Sequence, residues 1–269
     1  MSPFRTIEVS DPAFESEGLR HVTVKSAALK RRADLTLWIP AHTGGPLPLV
    51  ILLHGVYGSH WAWAWKGGAH RTAAGLTEQG IIRPMILAMP SDGLWGDGSG
   101  YIKHGTGEDY EQWIMEEVPR AAEASTGGLT KASPLFLSGL SMGGYGALRL
   151  GAKYGRRVAG ISAHSSATHF DDLDAIVDED LSLCRVDPAE CAAIDIIREY
   201  RTTLPPLRFD CGTSDVLLPQ NRALHAALTA ENIPHTYEEF PGGHDWPYWQ
   251  SHLADSLRFF SACTAGQPA

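Results

Sequence analysis

The stretch Leu137-Ser-Gly-Leu-Ser-Met-Gly-Gly-Tyr-Gly-Ala147 contains the pattern G-x-S-x-G as Gly139-Leu140-Ser141-Met142-Gly143. An apolar run over residues 134–137 leads into it and a small-residue helical pattern over 144–154 leads out, so the serine stands at a strand–turn–helix junction. A residue held on so sharp a turn needs neighbours without side chains, and Gly139 and Gly143 supply them. The helix that follows turns its free N–H groups and positive dipole end toward the serine hydroxyl. The junction therefore reads as a nucleophile elbow.

Outward from this point the chain alternates. Residues 48–53, 85–89, 134–137 and 158–163 are continuous apolar runs, as strands covered on both faces require, and further strands are expected at 205–211 and 236–240. Helical patterns over 69–79, 108–124 and 144–154 lie between them, and a further helix is expected from just after Asp215 to about residue 229. In the 108–124 pattern, Tyr110, Trp113, Ile114 and Val118 make one apolar stripe, read as core. This order predicts an α/β fold with a mostly parallel central sheet and helices on both faces. Two runs of period two between His21 and Pro40 predict an opening pair of strands.

Residues 1–18 lack periodicity and read as an N-terminal arm. Residues 167–203 turn acidic and break the rhythm, which reads as a short inserted helical segment. It would emerge at the C-terminal ends of the strands, where a cap over a site and a solvated surface excursion both fit. The expectation is one domain spanning 1–269.

Composition narrows the classes. With 43% apolar and 20% charged residues the chain is far from the profile of disorder and can build a sizeable core. A net charge of −9 without a basic stripe argues against a nucleic-acid partner or an anionic membrane surface and leaves a small molecule as the expected ligand. Residues 1–10 include Arg5 and Glu8 and no continuous apolar core, and no run reaches membrane-spanning length, so a cytoplasmic location is expected. The oligomeric state is left open, a homo-oligomer included. The four cysteines show no C-x-x-C spacing and the twelve histidines no H-E-x-x-H, so no metal site is expected. Reduced thiols are the default; a Cys184–Cys191 disulfide would require export.

A serine hydroxyl needs a base within hydrogen-bond reach and a third group to orient that base. In the α/β-hydrolase order, serine, acid and histidine follow one another on loops at strand ends. Asp215, in Gly212-Thr-Ser-Asp215, and His244, in Pro241-Gly-Gly-His-Asp-Trp246, occupy those places; Asp215 lies past its strand, whereas Asp210 lies within it. Asp215 would also suit the cap of the following helix. An oxyanion hole needs two backbone donors, predicted at Met142, after the nucleophile, and at Val56, in His54-Gly-Val-Tyr-Gly58. His54 comes directly off a buried strand and reads as a scaffold residue, not a second base.

Together the segments Leu53-His-Gly-Val-Tyr-Gly58, Gly139 to Ala147 and Gly242-Gly-His-Asp-Trp-Pro-Tyr-Trp249 resemble the esterase family that includes esterase D (S-formylglutathione hydrolase), tributyrin esterase, feruloyl and acetylxylan esterases and the antigen 85 mycolyltransferases. The resemblance covers about residues 33–260. It implies an α/β-hydrolase fold and hydrolysis of short-acyl or aromatic carboxylic esters without a cofactor. It matches the family's nucleophile to Ser141, its acid to Asp215, its base to His244 and its hole to Val56 and Met142. Esterase D has a Cys-containing loop where this chain has Tyr57-Gly-Ser-His60, a departure that speaks against glutathione thioester specificity. Acyl transfer, thioester hydrolysis and a catalytically silent binding module are the alternatives. Tyr57, Trp61, Trp63, Trp65, Trp95 and Trp246 are candidate walls of a substrate pocket, packing at loop bases being the other reading of each tryptophan. Asp92 and Asp97 could meet a polar alcohol portion or simply form turns.

Overall fold

The computed structural model describes residues 4–41 and 44–264. The strands are β1 (Ile7–Val9), β2 (Leu19–Lys25), β3 (Arg32–Trp38), β4 (Leu49–Leu53), β5 (Ile86–Pro90), β6 (Leu135–Leu140), β7 (Val158–His164), β8 (Leu207–Gly212) and β9 (Thr236–Phe240). They form one sheet in the order β1-β2-β3-β5-β4-β6-β7-β8-β9. The first three strands and β5 pair antiparallel, and from β5 through β4 to β9 every pairing is parallel. The opening pair expected between His21 and Pro40 is β2 with β3. Within the region read as an arm, Ile7–Val9 adds strand β1, with Val9 opposite Val22. Three residues are too few to show a period, so their pairing with β2 was invisible locally; residues 1–3 of the arm lie outside the described residues.

The helices are α1 (Ala62–Trp65), α2 (Ala69–Glu78), α3 (Tyr110–Gln112), α4 (Val118–Ser125), α5 (Met142–Lys153), α6 (Ala193–Glu199), α7 (Leu218–Ala230) and α8 (Trp246–Thr264). A π-helical turn, Trp113–Glu117, joins α3 to α4. The stripe Tyr110, Trp113, Ile114 and Val118 is fully buried, as its spacing required. Central strand β4 shows why the sheet is covered twice. Leu49, Ile51 and Leu53 enter the core beneath α4, α5 and α7, while Val50 and Leu52 enter the one beneath α1, α2 and α8. Each such side chain, once fully buried, contributes roughly 1.5–3 kcal/mol.

The inserted segment between β7 and β8 carries three short 3-10 helices, α6 and one further 3-10 turn. It is anchored from below by a buried charge cluster: the Arg149 guanidinium of α5 binds Glu111 at 2.6 Å and Glu190 of the segment at 2.8 Å, with Lys153 on the same two carboxylates. Glu111, near the start of α3, is buried and held inward by Arg149. Cys184, Cys191, Cys211 and Cys263 are all free, so Cys184 and Cys191 do not pair. Burial pushes the Cys184 thiol up to about 11 and Cys211 up to about 12, which keeps both protonated. Among the described residues no helix is long and apolar enough to cross a membrane, and no group of three or more metal-ligating side chains gathers.

Candidate active site

Strand β6 ends at Leu140, and α5 begins at Met142, leaving Ser141 alone on the turn between them. Its backbone is left-handed, φ 54°, a conformation that costs a non-glycine residue free energy and persists only where neighbours impose it. The Ser141 N–H donates to the His164 carbonyl of β7 at 3.0 Å, and its own carbonyl accepts from Tyr145 N–H at 3.1 Å. The glycines on either side are dictated by contact: a Cβ on Gly139 would lie 2.1 Å from the Gly143 carbonyl oxygen, and one on Gly143 2.2 Å from that of Leu53. Both obstacles are backbone, which cannot rotate away. Gly143→Ala is expected to lower stability by at least about 1–3 kcal/mol, the range for overpacking a tight core, which denaturant unfolding would measure.

The acid and base arrive from the two neighbouring loops. Asp215 follows β8 and His244 follows β9, and the loops touch where a Cβ on Gly212 would meet the Gly242 carbonyl at 2.4 Å. His244 Nδ1 lies 3.0 Å from each Asp215 carboxylate oxygen, and its Nε2 lies 3.0 Å from Ser141 Oγ. Since a carboxylate only accepts, Nδ1 carries the proton and Nε2 is free to accept the serine hydroxyl hydrogen. Asp215 also accepts the Leu217 N–H at 2.8 Å, but α7 starts beyond Leu217, so the carboxylate does not cap that helix. Burial alone would raise the Asp215 carboxyl; the hydrogen bonds from His244 and Leu217 outweigh it and hold the pKa below the ordinary carboxylate value.

His54 is occupied as scaffold. Its Nδ1 donates to the Gly55 carbonyl at 2.7 Å and its Nε2 accepts the Asp92 N–H at 3.0 Å, a neutral imidazole with both nitrogens used. Gly58 packs so closely on the ring that a Cβ would fall 2.5 Å from Nδ1. Among the described residues, neither the Val56 N–H nor the Met142 N–H donates to a protein acceptor. Val56, Ser141 and His244 open on a cavity of about 450 Å³ walled by Tyr57, Trp61, Trp246 and Trp249.

The esterase family described as "Putative esterase" matches residues 26–192 and 202–260. The chain belongs to this esterase family. An acetyl esterase of Caldicellulosiruptor saccharolyticus is 29% identical over 240 residues, 80% of this chain and 84% of the relative. Among solved structures, a ferulic acid esterase superposes with a TM-score of 0.78 at 22% identity, covering 96% of this chain and 99% of its own. The S-formylglutathione hydrolase FrmB of Staphylococcus aureus gives 0.76 at 20% identity, covering 95% and 99%. Identities this low carry the α/β-hydrolase fold alone. Family membership makes the chain a serine esterase, a carboxylic ester hydrolase.

The esterase's aromatic residues divide. Tyr57, Trp61 and Trp246 line the cavity; Trp63 is buried behind Trp246, its ring edge-on at 5.7 Å. Trp65 packs beside His70 and takes no part. Trp95, expected at the pocket, is not there: it packs edge-on against His104 at 5.1 Å. Its loop is turned by Asp92, whose carboxylate accepts the Leu94 and Ser99 N–H groups at 2.9 and 2.7 Å. Asp92 is thus a buried turn-former, and Asp97 faces the inserted segment, so neither reaches the cavity. Trp249 was missed as a wall. It stands edge-on to His244 at 5.0 Å and lines the cavity, and its signal was its position three residues after Trp246, one helical turn along α8.

Proposed function

We propose that the esterase hydrolyses a small-molecule carboxylic ester with a short or aromatic acyl group through an acyl-enzyme on Ser141. The observation that carries this reading is the hydrogen-bonded chain from Asp215 through His244 to Ser141 Oγ, opening on an aromatic-walled cavity. Ser141 Oγ attacks the ester carbonyl while His244 Nε2 takes its proton. Asp215, kept ionised, holds the imidazole in the right tautomer and balances the imidazolium. The free N–H groups of Val56 and Met142 receive the charge that develops on the carbonyl oxygen. Collapse expels the alcohol, which leaves with the proton from His244, and a water activated by the same imidazole then releases the acid. No step needs a cofactor or a metal.

A short acyl group is supported by the likeness to an acetyl esterase; the aromatic walls Trp61, Trp246 and Trp249 would equally accept a planar acyl group. The test is a p-nitrophenyl ester series of increasing acyl length, with feruloyl and thioester substrates beside it, and mass mapping of a fluorophosphonate adduct. Turnover highest for a short or aromatic acyl oxyester and a single adduct on Ser141 are expected. An adduct on another serine, or a thioester preferred over every oxyester, would reject the reading.

A further inference from the structure

We propose that the inserted segment positions the oxyanion hole, with Glu179 and Asp97 as positioning residues that act through the backbone of Val56 and Tyr57. The inference rests on the hole assigned above and extends it to residues that touch no substrate.

Tyr57, directly after the donor Val56, has a left-handed backbone, φ 59°, which bulky side chains avoid. Whatever holds Tyr57 there fixes the peptide plane beside the hole. Two contacts hold it. Its N–H donates to the Asp97 carbonyl at 2.9 Å, and its hydroxyl donates to the Ile176 carbonyl of the inserted segment. Asp97 is in turn tied to that segment from both sides: its N–H donates to Glu179 Oε2 and its Oδ2 accepts the Asp178 N–H, each at 3.0 Å. In both bonds a backbone N–H donates to a carboxyl oxygen.

The loop between is shaped to reach the other donor as well. Gly98 lies between the two hole residues, where a Cβ would stand 2.5 Å from Met142 Sδ and 3.2 Å from Val56 Cγ1. Gly96, also left-handed, leaves room for Glu179, whose carboxyl carbon would be 2.2 Å from a Cβ there. Loop 96–98 therefore contacts both residues that supply the hole and is clamped by Asp178 and Glu179, about eighty positions away in sequence.

Such a clamp acts chiefly on the transition state, through the donor beside Tyr57. Glu179→Ala is expected to lower kcat about 10- to 100-fold, short of the 10²–10³-fold for outright loss of a hole donor, with a much smaller change in KM. Binding of a trifluoromethyl ketone, whose adduct places an oxyanion in the hole, should weaken by the same factor. The pH profile should keep its midpoint, because the His244–Asp215 pair is untouched, and Glu179→Gln, which keeps an oxygen acceptor, should restore most of the loss. Asp97→Ala, which removes the acceptor for Asp178 while keeping the carbonyl that holds Tyr57, should show the same pattern in weaker form, and serves if Glu179→Ala does not fold. Wild-type kcat in both variants, or a loss of kcat with ketone affinity unchanged, overturns the proposal. Absence of wild-type turnover together with absence of an adduct on Ser141 would instead overturn the reading on which it rests.

Discussion

Ser141→Ala is expected to lower kcat for a p-nitrophenyl ester by about 10⁶-fold, the scale seen when the nucleophile of a serine triad is removed. The turn should survive the change. Its left-handed backbone is imposed by the His164 carbonyl, the Tyr145 N–H and the two flanking glycines, none of which involves the hydroxyl. Unfolding temperature should therefore stay near that of the wild type while turnover collapses. His244→Ala in the same background should cost little more, since the base has no proton left to move; the three groups act as one unit and their losses do not add. A residual rate of about 10³–10⁴ over water would persist from the Val56 and Met142 donors and from binding alone. A Ser141→Ala rate within about tenfold of the wild type, far outside that range, would remove Ser141 from the chemistry.

The elbow could be read from sequence because its constraints are local: a strand, a turn and a helix within a dozen residues, with glycines wherever a Cβ would strike backbone. Asp215 and His244 could be read because each falls just past a strand, where chain order alone points to a partner for Ser141. What escaped depends on contacts across long separations or on backbone conformations no pattern announces. Strand β1 exists only through its pairing with β2. Trp95 looked like a pocket wall, yet three left-handed positions on either side of it, Gly93, Leu94 and Gly96, turn its loop away from the cavity. The bonds from Asp178 and Glu179 to Asp97 join residues about eighty positions apart, which no local pattern announces. Asp210 and Asp215 were told apart by a single criterion, being inside or past the strand; in the structure Asp215 contacts His244 and Asp210 contacts the buried His164.

Asp210 and Asp215 both hold a histidine, and exchanging each for Asn separates their roles. Asp215→Asn is expected to cost about 10⁴-fold in kcat, because the amide can no longer hold His244 in the tautomer whose Nε2 accepts the Ser141 proton, with a small change in stability. Asp210→Asn is expected to do the opposite. Its carboxylate is fully buried between His164 Nδ1 at 2.9 Å, Arg208 at 3.0 Å and the Tyr248 hydroxyl at 2.8 Å, and the network continues from His164 Nε2 to Ser256 Oγ at 2.7 Å. That cluster also contains a serine, a histidine and an aspartate in sequence of contact, but it is closed to solvent and none of the three lines the cavity at Ser141. Replacing the carboxylate leaves the Arg208 guanidinium, only 4% exposed, with the exposed side of its pair, Glu238, as sole counter-charge. Breaking a buried pair from one side costs about 3–5 kcal/mol, and kcat measured well below the unfolding transition should stay near the wild-type value. The effect has a pH signature. Burial opposes ionisation of Asp210, but His164, Arg208 and Tyr248 outweigh it and hold its pKa below the ordinary value. A carboxyl depressed on folding stabilises fully above its unfolded pKa, about 3.9, and loses that contribution as pH falls through the lower folded value. The stability gap between wild type and Asp210→Asn should thus be wide at neutral pH and close below about pH 4. A gap that stays constant into acid would mean that the buried charge is not what Asp210 contributes. A 10⁴-fold loss of kcat in Asp210→Asn with Asp215→Asn near wild type would exchange the two residues' roles.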